Sequence, residues 1–487
     1  MPINKNIFCF ITLVFLISKS VSAESVTHPQ CQNLFQNESI VNLKRSENKL
    51  IFSSNKTSGL RKKFLILEPT PWDRRELISS GVSERYELDL PAENWLSSTK
   101  YFGAVIGNVN SWVKKTAAKL KNQGYDGIIG IQDFPASLIA SSLGEEMGFR
   151  VPKLDVMLSI HNKYLSRMIQ QRAAPEAVPP FALVDTAKID VNNPPLPYPF
   201  FLKPVKGLSS IKAQVVRGPE DFLKAVRLTW TEKLAMKLLF RPLDELMKSK
   251  FEDPILSRMF IAEGLMKGVQ VTVDGFVQNG KVQILGVVDS FMYKDTNSFE
   301  SFQYPSRLSP EVQNRMNDIA KKVMAESGFD HSLFNIEMFY DAETNHIGII
   351  EINPRMAYQF ADLYEKVDGV NLYTMQAQLS AGEAVTAPHR QGQFKTAGSF
   401  VPRVFAGQIL KSFPTEAQAE EIQNAEPDSR IRLIAKEGLA SLKAFQDVDS
   451  TRLAFVNIGG SSFEQLRQRA LKIYERLGIV IQDKNSQ

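Results

Sequence analysis

Two glutamates and two asparagines recur at even spacing in FNIEMFYDAETNHIGIIEINPR, residues 334–355. The stretch reads as two short strands around a turn, and strand side chains alternate between faces with a period of two. Placing Glu337 opposite Glu351 sets Asn335 against Asn353, Phe339 against Ile349 and Ala342 against His346. Glu343, Thr344 and Asn345 then form a three-residue loop, with Asn at its left-handed last position. The other face carries Ile336, Met338, Tyr340, Gly348, Ile350 and Ile352, almost wholly apolar, and a slip of one residue would mix the faces. Opposed like charges destabilise a hairpin unless a cation lies between them. Two carboxylates and an amide oxygen suit Mg²⁺, which takes one or two carboxylates and fills its shell with water and phosphate oxygens. Alone, such a hairpin is as readily a solvated polar edge, so the rest of the chain decides.

The elements that must position such a cluster follow from the whole chain. With 487 residues and 54.8 kDa it has room for two to four domains. Hydrophobic residues at 43% and charged residues at 23% fit a globular protein, and a net charge of +5 without a dense Lys/Arg block does not indicate a nucleic-acid partner. Lys5 precedes IFCFITLVFLIS, then Lys19 and SVSA before Glu24. A positive start, an apolar core of about a dozen residues and a small-residue end describe a Sec-type secretory signal. Residues 1–23 are therefore expected to direct export to a periplasm or out of the cell with cleavage after Ala23, the alternative being an uncleaved membrane anchor. After cleavage no stable membrane partner is expected. Only Cys9 and Cys31 occur, and cleavage removes the first, so no disulfide framework is built. No His/Cys grouping has zinc spacing.

Residues 24–62 read as a flexible leader. KKFLILEPT and DGIIGI are apolar strands within an alternating strand–helix region, an α/β unit over 63–155. FFLKPVKGLSSIKAQVV reads as strand, glycine loop and strand. Residues 219–258 are helical and highly charged, long enough to cap a site. FIAEGLMKGVQVTVDGFVQNGKVQILGVVDS holds three strand-like runs with an Asn-Gly turn at 279–280. From about 390 a last unit has short strands and the amphipathic SSFEQLRQRALKIYERLG.

Two further charged residues end apolar strands. Lys203 closes FFLK before a Gly-Ser loop able to turn N–H groups and hydroxyls toward phosphate. Glu263 closes FIAE before a stretch without hydrophobic periodicity, a hinge able to meet a planar base and its ribose. Taken singly, each is also an ordinary strand-end residue in contact with water. The Walker spacing is absent.

In combination and in this order, lysine, glycine loop, hinge glutamate, NIE and EINPR, the chain resembles the ATP-grasp superfamily over about 63–487. Within it, the chain is most similar to carboxylate–amine ligases of the carnosine-synthase-like and bacterial dipeptide ligase type. That resemblance implies an α/β and α+β architecture: an N-terminal α/β pre-ATP-grasp domain (63–155), a two-lobed nucleotide clamp (156–388) and a C-terminal lid domain (389–487). It implies that Lys163 in NKYLSR and Lys203 reach the nucleotide phosphates, with Ser209 and Ser210 in a loop closing over them. Glu263 and the backbone near Leu265 would hold adenine, and Gln270 stands where the family usually has a ribose-binding glutamate. Glu337, Glu351 and Asn353 resemble the metal ligands, and Arg355 the residue that contacts phosphate or substrate carboxylate. Relatives often follow that arginine with a glycine pair; here MAYQFADLY offers Tyr358 and Phe360 as pocket liners. The implied activity is ATP-dependent joining of a carboxylic acid, an amino acid for example, to an amine through an acyl phosphate. ATP and Mg²⁺ are the implied cofactors, with Mn²⁺ as an alternative ion. Partners are the small-molecule acid and amine, with a homodimer compatible. An exported, catalytically silent binding module and a phosphotransferase are the alternatives.

Overall fold

Strand Lys63–Leu67 is apolar at four of five positions and buried on both sides, as a central strand of a parallel sheet must be. It pairs in parallel with Gly127–Gly130, as the two apolar runs suggest, and with a short third strand, Glu87–Asp89, on its other edge. The computed structural model describes residues 61–91, 108–206, 213–227, 229–434, 446–447 and 450–483. The signal segment, almost all of the leader, and Ser209 and Ser210 lie outside the described residues. Helix Pro71–Ser79 follows the first strand because Thr70 and Asp73 cap it reciprocally and proline occupies its first turn.

The first lobe of the clamp is a four-stranded antiparallel sheet in the order Phe181–Val184, Phe260–Gly264, Phe200–Pro204, Gln214–Val216. The second lobe belongs to an eight-stranded sheet, ordered His346–Asn353, Ser332–Asp341, Val269–Gln278, Lys281–Met292, Phe299–Tyr304, Thr396–Phe400, Ala454–Gly460, Arg430–Leu433. Its Asn-Gly turn forms as the sequence suggests: Asn279 and Gly280 both have positive φ, and Gln278 pairs with Lys281.

Phe299–Tyr304 pairs with Thr396–Phe400, so the sheet of the clamp runs on into the strands of the C-terminal unit. The four residue pairs between these two strands, Ser301 to Tyr304 against Phe400 to Ala397, would have to part to free that unit from the clamp's sheet.

One face of this sheet presents Val271, Val273, Ile336, Met338 and Ile349 to helix Pro310–Ser327 and to the N-terminal helices. Each such side chain is fully buried, worth about 1.5–3 kcal/mol relative to exposure. The charged segment 219–258 forms helices Pro219–Val226, Trp230–Leu239 and Arg241–Lys250. The last of these buries Leu243, Leu246 and Met247 in the same core, and its Glu245 accepts the N–H of Val109 at 2.8 Å. It is thus anchored to the N-terminal unit.

Candidate active site

The opposite face of the sheet carries the polar hairpin. Glu337 pairs with Glu351 and Asn335 with Asn353, as alternation requires. Beyond them the register differs from the simple reading: a bulge after Glu337 leaves Ile350 as the extra residue, so Met338 meets Ile349 and Phe339 meets Gly348. Asp341 closes against His346, giving a four-residue turn whose last residue, Asn345, has φ 54°. The bulge turns Ile347 and Ile349 inward to the core and leaves Ile350 half-buried, which the strict alternation had reversed.

Around the two glutamates the structure gathers most of the expected residues. Lys163 starts helix Lys163–Ala173, which Asn162 caps by accepting the N–H groups of Tyr164 and Leu165. Its ammonium lies 2.9 Å from the Glu351 carboxylate. Burial acts to raise Glu351, but Lys163, Lys203 and Lys206 outweigh it and bring its pKa down to about 2. Glu337 goes the other way: burial first, then the charge of Glu351, push it up to about 7. Asn353 donates to Glu337 at 3.3 Å and Gln270 donates to it at 3.0 Å. That contact gives the departure from the family's glutamate at position 270 a physical sense. A third carboxylate beside Glu337 and Glu351 would add like charge, whereas an amide supplies a donor.

Lys203 reaches diagonally across the first lobe to Glu263 at 2.8 Å. Glu263 differs from its expected role. Only 2% exposed, it spends its other oxygen on Arg167 at 2.8 Å. Burial opposes its charge, but Lys203 and Arg167 outweigh burial and hold the carboxyl below its usual value. Its carboxylate is thus the counter-ion of the clamp's cations rather than a group pointing into open space. Leu265, just past the hinge, is 47% exposed.

Arg167, 1% exposed, is a residue the sequence reading did not single out. It donates to the carbonyls of Ile349 at 2.8 Å and Ile350 at 2.9 Å as well as to Glu263 and Gln170. The bulge exposes those carbonyls, and the guanidinium satisfies them. The available signal was its position four residues after Lys163, on the same face of one helix. A second unforeseen group is Asp133, His161 and Lys206. Lys206 lies 3.0 Å from His161 Nδ1, and Ser137 Oγ lies 3.1 Å from its Nε2. Burial and Lys206 push the imidazole down to about 3, so it is neutral. Asp133 sits 3.9 Å from Lys206, and its carboxyl is held well below the usual range as Lys206, His161 and Arg355 outweigh burial. This group ties the N-terminal unit to the base of the glycine loop.

Two cavities open on the site face and share Gln270 and Ser290. The larger, about 430 Å³, lies between Gly268, Phe339, Met292 and Leu308 beside the chain leaving the hinge. The smaller, about 240 Å³, holds Glu337, Asn353 and Arg355 at one end and the expected liners Tyr358 and Phe360. Buried Arg355 Nε has no partner. Among the described residues no cluster of three or more His, Cys, Asp or Glu side chains is set to hold a metal. The hairpin's two opposed carboxylates and one amide oxygen form an oxygen-only set, and the raised Glu337 marks a place where added positive charge relieves repulsion. These residues fit a hard divalent ion that completes its shell with ligand oxygens.

Residues 196–363 match the sequence family described as ATP-grasp domain. No curated protein matches the chain significantly by sequence. Among solved structures, the L-amino acid ligase from Bacillus licheniformis superposes with a TM-score of 0.62 at 14% identity, covering 88% of this chain and 100% of that one. The biotin carboxylase domain of the Hydrogenobacter thermophilus 2-oxoglutarate carboxylase, solved with MgADP, ADP and bicarbonate, gives 0.58 at 15% identity over 87% and 91%. Phosphoribosylglycinamide synthetase from Anaerococcus prevotii gives 0.54 at 11% over 86% and 99%. At such identities the likeness is one of fold. The chain thus carries an ATP-grasp domain match over residues 196–363 and shares its fold with these structures.

Proposed function

We propose that the chain is an ATP-dependent carboxylate–amine ligase. The observation that carries this reading is the pairing of Lys163 with Glu351, which faces Glu337 on the hairpin, beside a cavity that Glu337, Asn353 and Arg355 line at one end, with Arg355 Nε unpartnered. A carboxylate is a poor electrophile, so its oxygen first attacks the γ-phosphorus of ATP. ADP departs and an acyl phosphate forms. An amine then attacks the acyl carbon, phosphate leaves with the electron pair, and the amine loses a proton to give the amide.

Positioning and charge stabilisation dominate this chemistry, and no side-chain nucleophile is required. Lys163 and Lys203 place cations against the phosphates, Lys203 held in reach by Glu263. Arg355 orients the acid's carboxylate, and the aromatic wall of Tyr358 and Phe360 keeps water from the acyl phosphate. Glu337, Glu351 and Asn353 would hold Mg²⁺, whose chemistry there is to neutralise charge on the transferring phosphoryl group. Gln270 steadies Glu337.

Release of ADP and phosphate from Mg-ATP, with pooled acids and amines and mass spectrometry of products, tests the reading. Release dependent on both an acid and an amine, a new amide mass, and loss of both in Glu351→Gln support ligation. Phosphate transferred to an acceptor without an amide would instead make it a phosphotransferase. ATP binding without any turnover would leave a binding module.

The N-terminal segment leads us to propose export as well, with cleavage after Ala23. N-terminal sequencing of the protein recovered from a fractionated host checks it. A chain starting at Glu24 outside the cytoplasm is expected, and an intact Met1 in the membrane fraction would replace export by anchoring.

A further inference from the structure

Asn353, Asn335 and Asp274 form a row across three neighbouring strands, each the direct partner of the next in register. The adjacent row on the same face is that of Glu351 and Glu337. All three side chains are buried, Asp274 almost completely. An amide can hydrogen-bond in either sense, whereas a carboxylate can only accept. Asp274 therefore sets the direction of the whole row.

One Asp274 oxygen accepts from the Asn335 amide nitrogen at 2.8 Å, and the other accepts from the Tyr364 hydroxyl at 2.8 Å. With its nitrogen committed to Asp274, Asn335 turns its oxygen toward Asn353, whose amide nitrogen lies 3.4 Å away. That nitrogen also lies 3.3 Å from Glu337. The side-chain oxygen of Asn353 then faces away from both acceptors, and no described group donates to it. It is the atom of this amide that can serve a hard cation.

A second set of contacts holds the anchor. Tyr364, fully buried on helix Ala361–Asp368, packs 4.6 Å from Tyr304, whose hydroxyl donates to Asp368 at 2.6 Å. Gly286, the other strand partner of Asp274, leaves room for the Tyr304 ring: a Cβ there would lie 2.6 Å from it. The helix that carries Tyr364 begins directly after the pocket liners Tyr358 and Phe360.

Resting on the reading of Glu337, Glu351 and Asn353 as metal ligands, we propose that Asp274 is a positioning residue for the metal site. It acts through Asn335 to present the oxygen of Asn353 to the ion. A row that only filled space would serve equally well in either sense. A directed row matters because the oxygen of Asn353 has an ion to meet.

Titration calorimetry of the chain with ADP, with and without Mg²⁺, tests this at pH 8, where Asp274, raised by burial to about 6, is a carboxylate. The ratio of the two affinities measures what the metal adds. Asp274→Leu is expected to lower that ratio at least about tenfold, the scale for a group that orients a metal ligand, while ADP without metal binds as in the parent. Asp274→Asn, whose oxygen can still accept from Asn335, should keep part of the ratio. Asn335→Leu serves as a second variant should Asp274→Leu fail to fold, and should lose as much. The double variant should lose no more than Asn335→Leu alone, because Asp274 acts through Asn335. Equal loss of ADP affinity with and without Mg²⁺, additive losses in the double variant, or an unchanged ratio in either folded leucine variant overturns the proposal. A parent whose ADP binding does not respond to Mg²⁺ removes the metal site and this proposal together. A lowered ratio in the variants, with no acid- and amine-dependent ADP release by the parent, keeps the positioning role while removing ligation, so the two failures are told apart.

Discussion

Lys163 and Glu351, on a helix and on a hairpin far apart in the chain, meet at 2.9 Å, and the two facing glutamates shift in opposite directions, Glu351 down and Glu337 up. Because Lys163 answers Glu351, Glu337 alone carries the cost of their proximity. In Lys163→Met, Glu351 loses its nearest cation and its pKa rises. The Glu351 carboxyl is held down in the folded state, so its contribution to stability is present above pH 4.5 and lost as pH falls toward 2. The variant should therefore be less stable than the parent mainly above pH 4.5. The loss should be about 1 kcal/mol, because the Glu351 side chain keeps 37% of its surface in solvent and screens the pair. Urea unfolding at pH 3 and pH 8 measures it, and an equal difference at both pH values would remove the assignment.

Glu76 predicts the opposite slope. Its carboxyl, 2% exposed, lies 3.4 Å from Arg430 Nε, where the N-terminal helix meets the C-terminal strand. Burial, then the charge of Asp362, push it from 4.5 up to about 7. A carboxyl that holds its proton more tightly when folded makes the folded state lose ground as pH rises from about 4.5 to about 7. The slope is at most about 1.4 kcal/mol per pH unit. Tm followed across this window should fall more steeply in the parent than in Glu76→Gln; parallel curves would contradict the placement.

Arg167→Met should be far more damaging than any surface exchange. It leaves Glu263 with Lys203 alone and orphans the carbonyls of Ile349 and Ile350. Breaking such a buried pair costs about 3–5 kcal/mol. Arg172→Met, one turn further on, removes an exposed pair with Glu326 at 2.7 Å and should cost under about 1 kcal/mol. Comparable denaturant midpoints for the two variants would refute the central role of Arg167.

Gly268 sits at φ 122°, and a Cβ there would lie 2.2 Å from the Tyr340 carbonyl oxygen. Gly268→Ala must therefore move the end of strand Val269–Gln278 away from the hairpin. Gly148, at φ 73° with nothing within 4 Å, bears only the left-handed cost of about 1–2 kcal/mol on the same exchange. Gly268→Ala is expected to lower Tm further than Gly148→Ala and to weaken nucleotide binding, whereas Gly148→Ala leaves binding intact. Fluorescent nucleotide titration together with thermal melts separates these effects.

The part of the hairpin nearest the site was legible because Asn335, Glu337, Glu351 and Asn353 alternate with isoleucines that can only face the core. The bulge was not, since in the run Gly348 to Ile350 hydrophobicity does not mark which residue is extra. Lys203 announced itself as a cation at a strand end, whereas Lys163 came only from the resemblance of NKYLSR to the family's pattern. Glu263 misled for a physical reason: at a strand end it looks solvated, and only the fold brings Arg167 and Lys203 against it. Asp133, His161 and Lys206 come from three separate segments and carry no shared spacing. The merging of the clamp sheet with the C-terminal strands was hidden likewise, because strand alternation says which face is buried and nothing about which edge finds a partner.

The unbroken sheet from the hairpin to the C-terminal strands has a consequence for how such a protein diversifies. Phe302, Phe455 and the glutamates of the hairpin share one hydrogen-bonded slab, while Lys203 belongs to another, linked to the first by the helix whose Lys163 meets Glu351 and whose Arg167 meets Glu263. Mutations in 396–460 can reshape the far wall of the smaller cavity without disturbing the lysines. What the smaller cavity admits can therefore change while the two lysines keep their places.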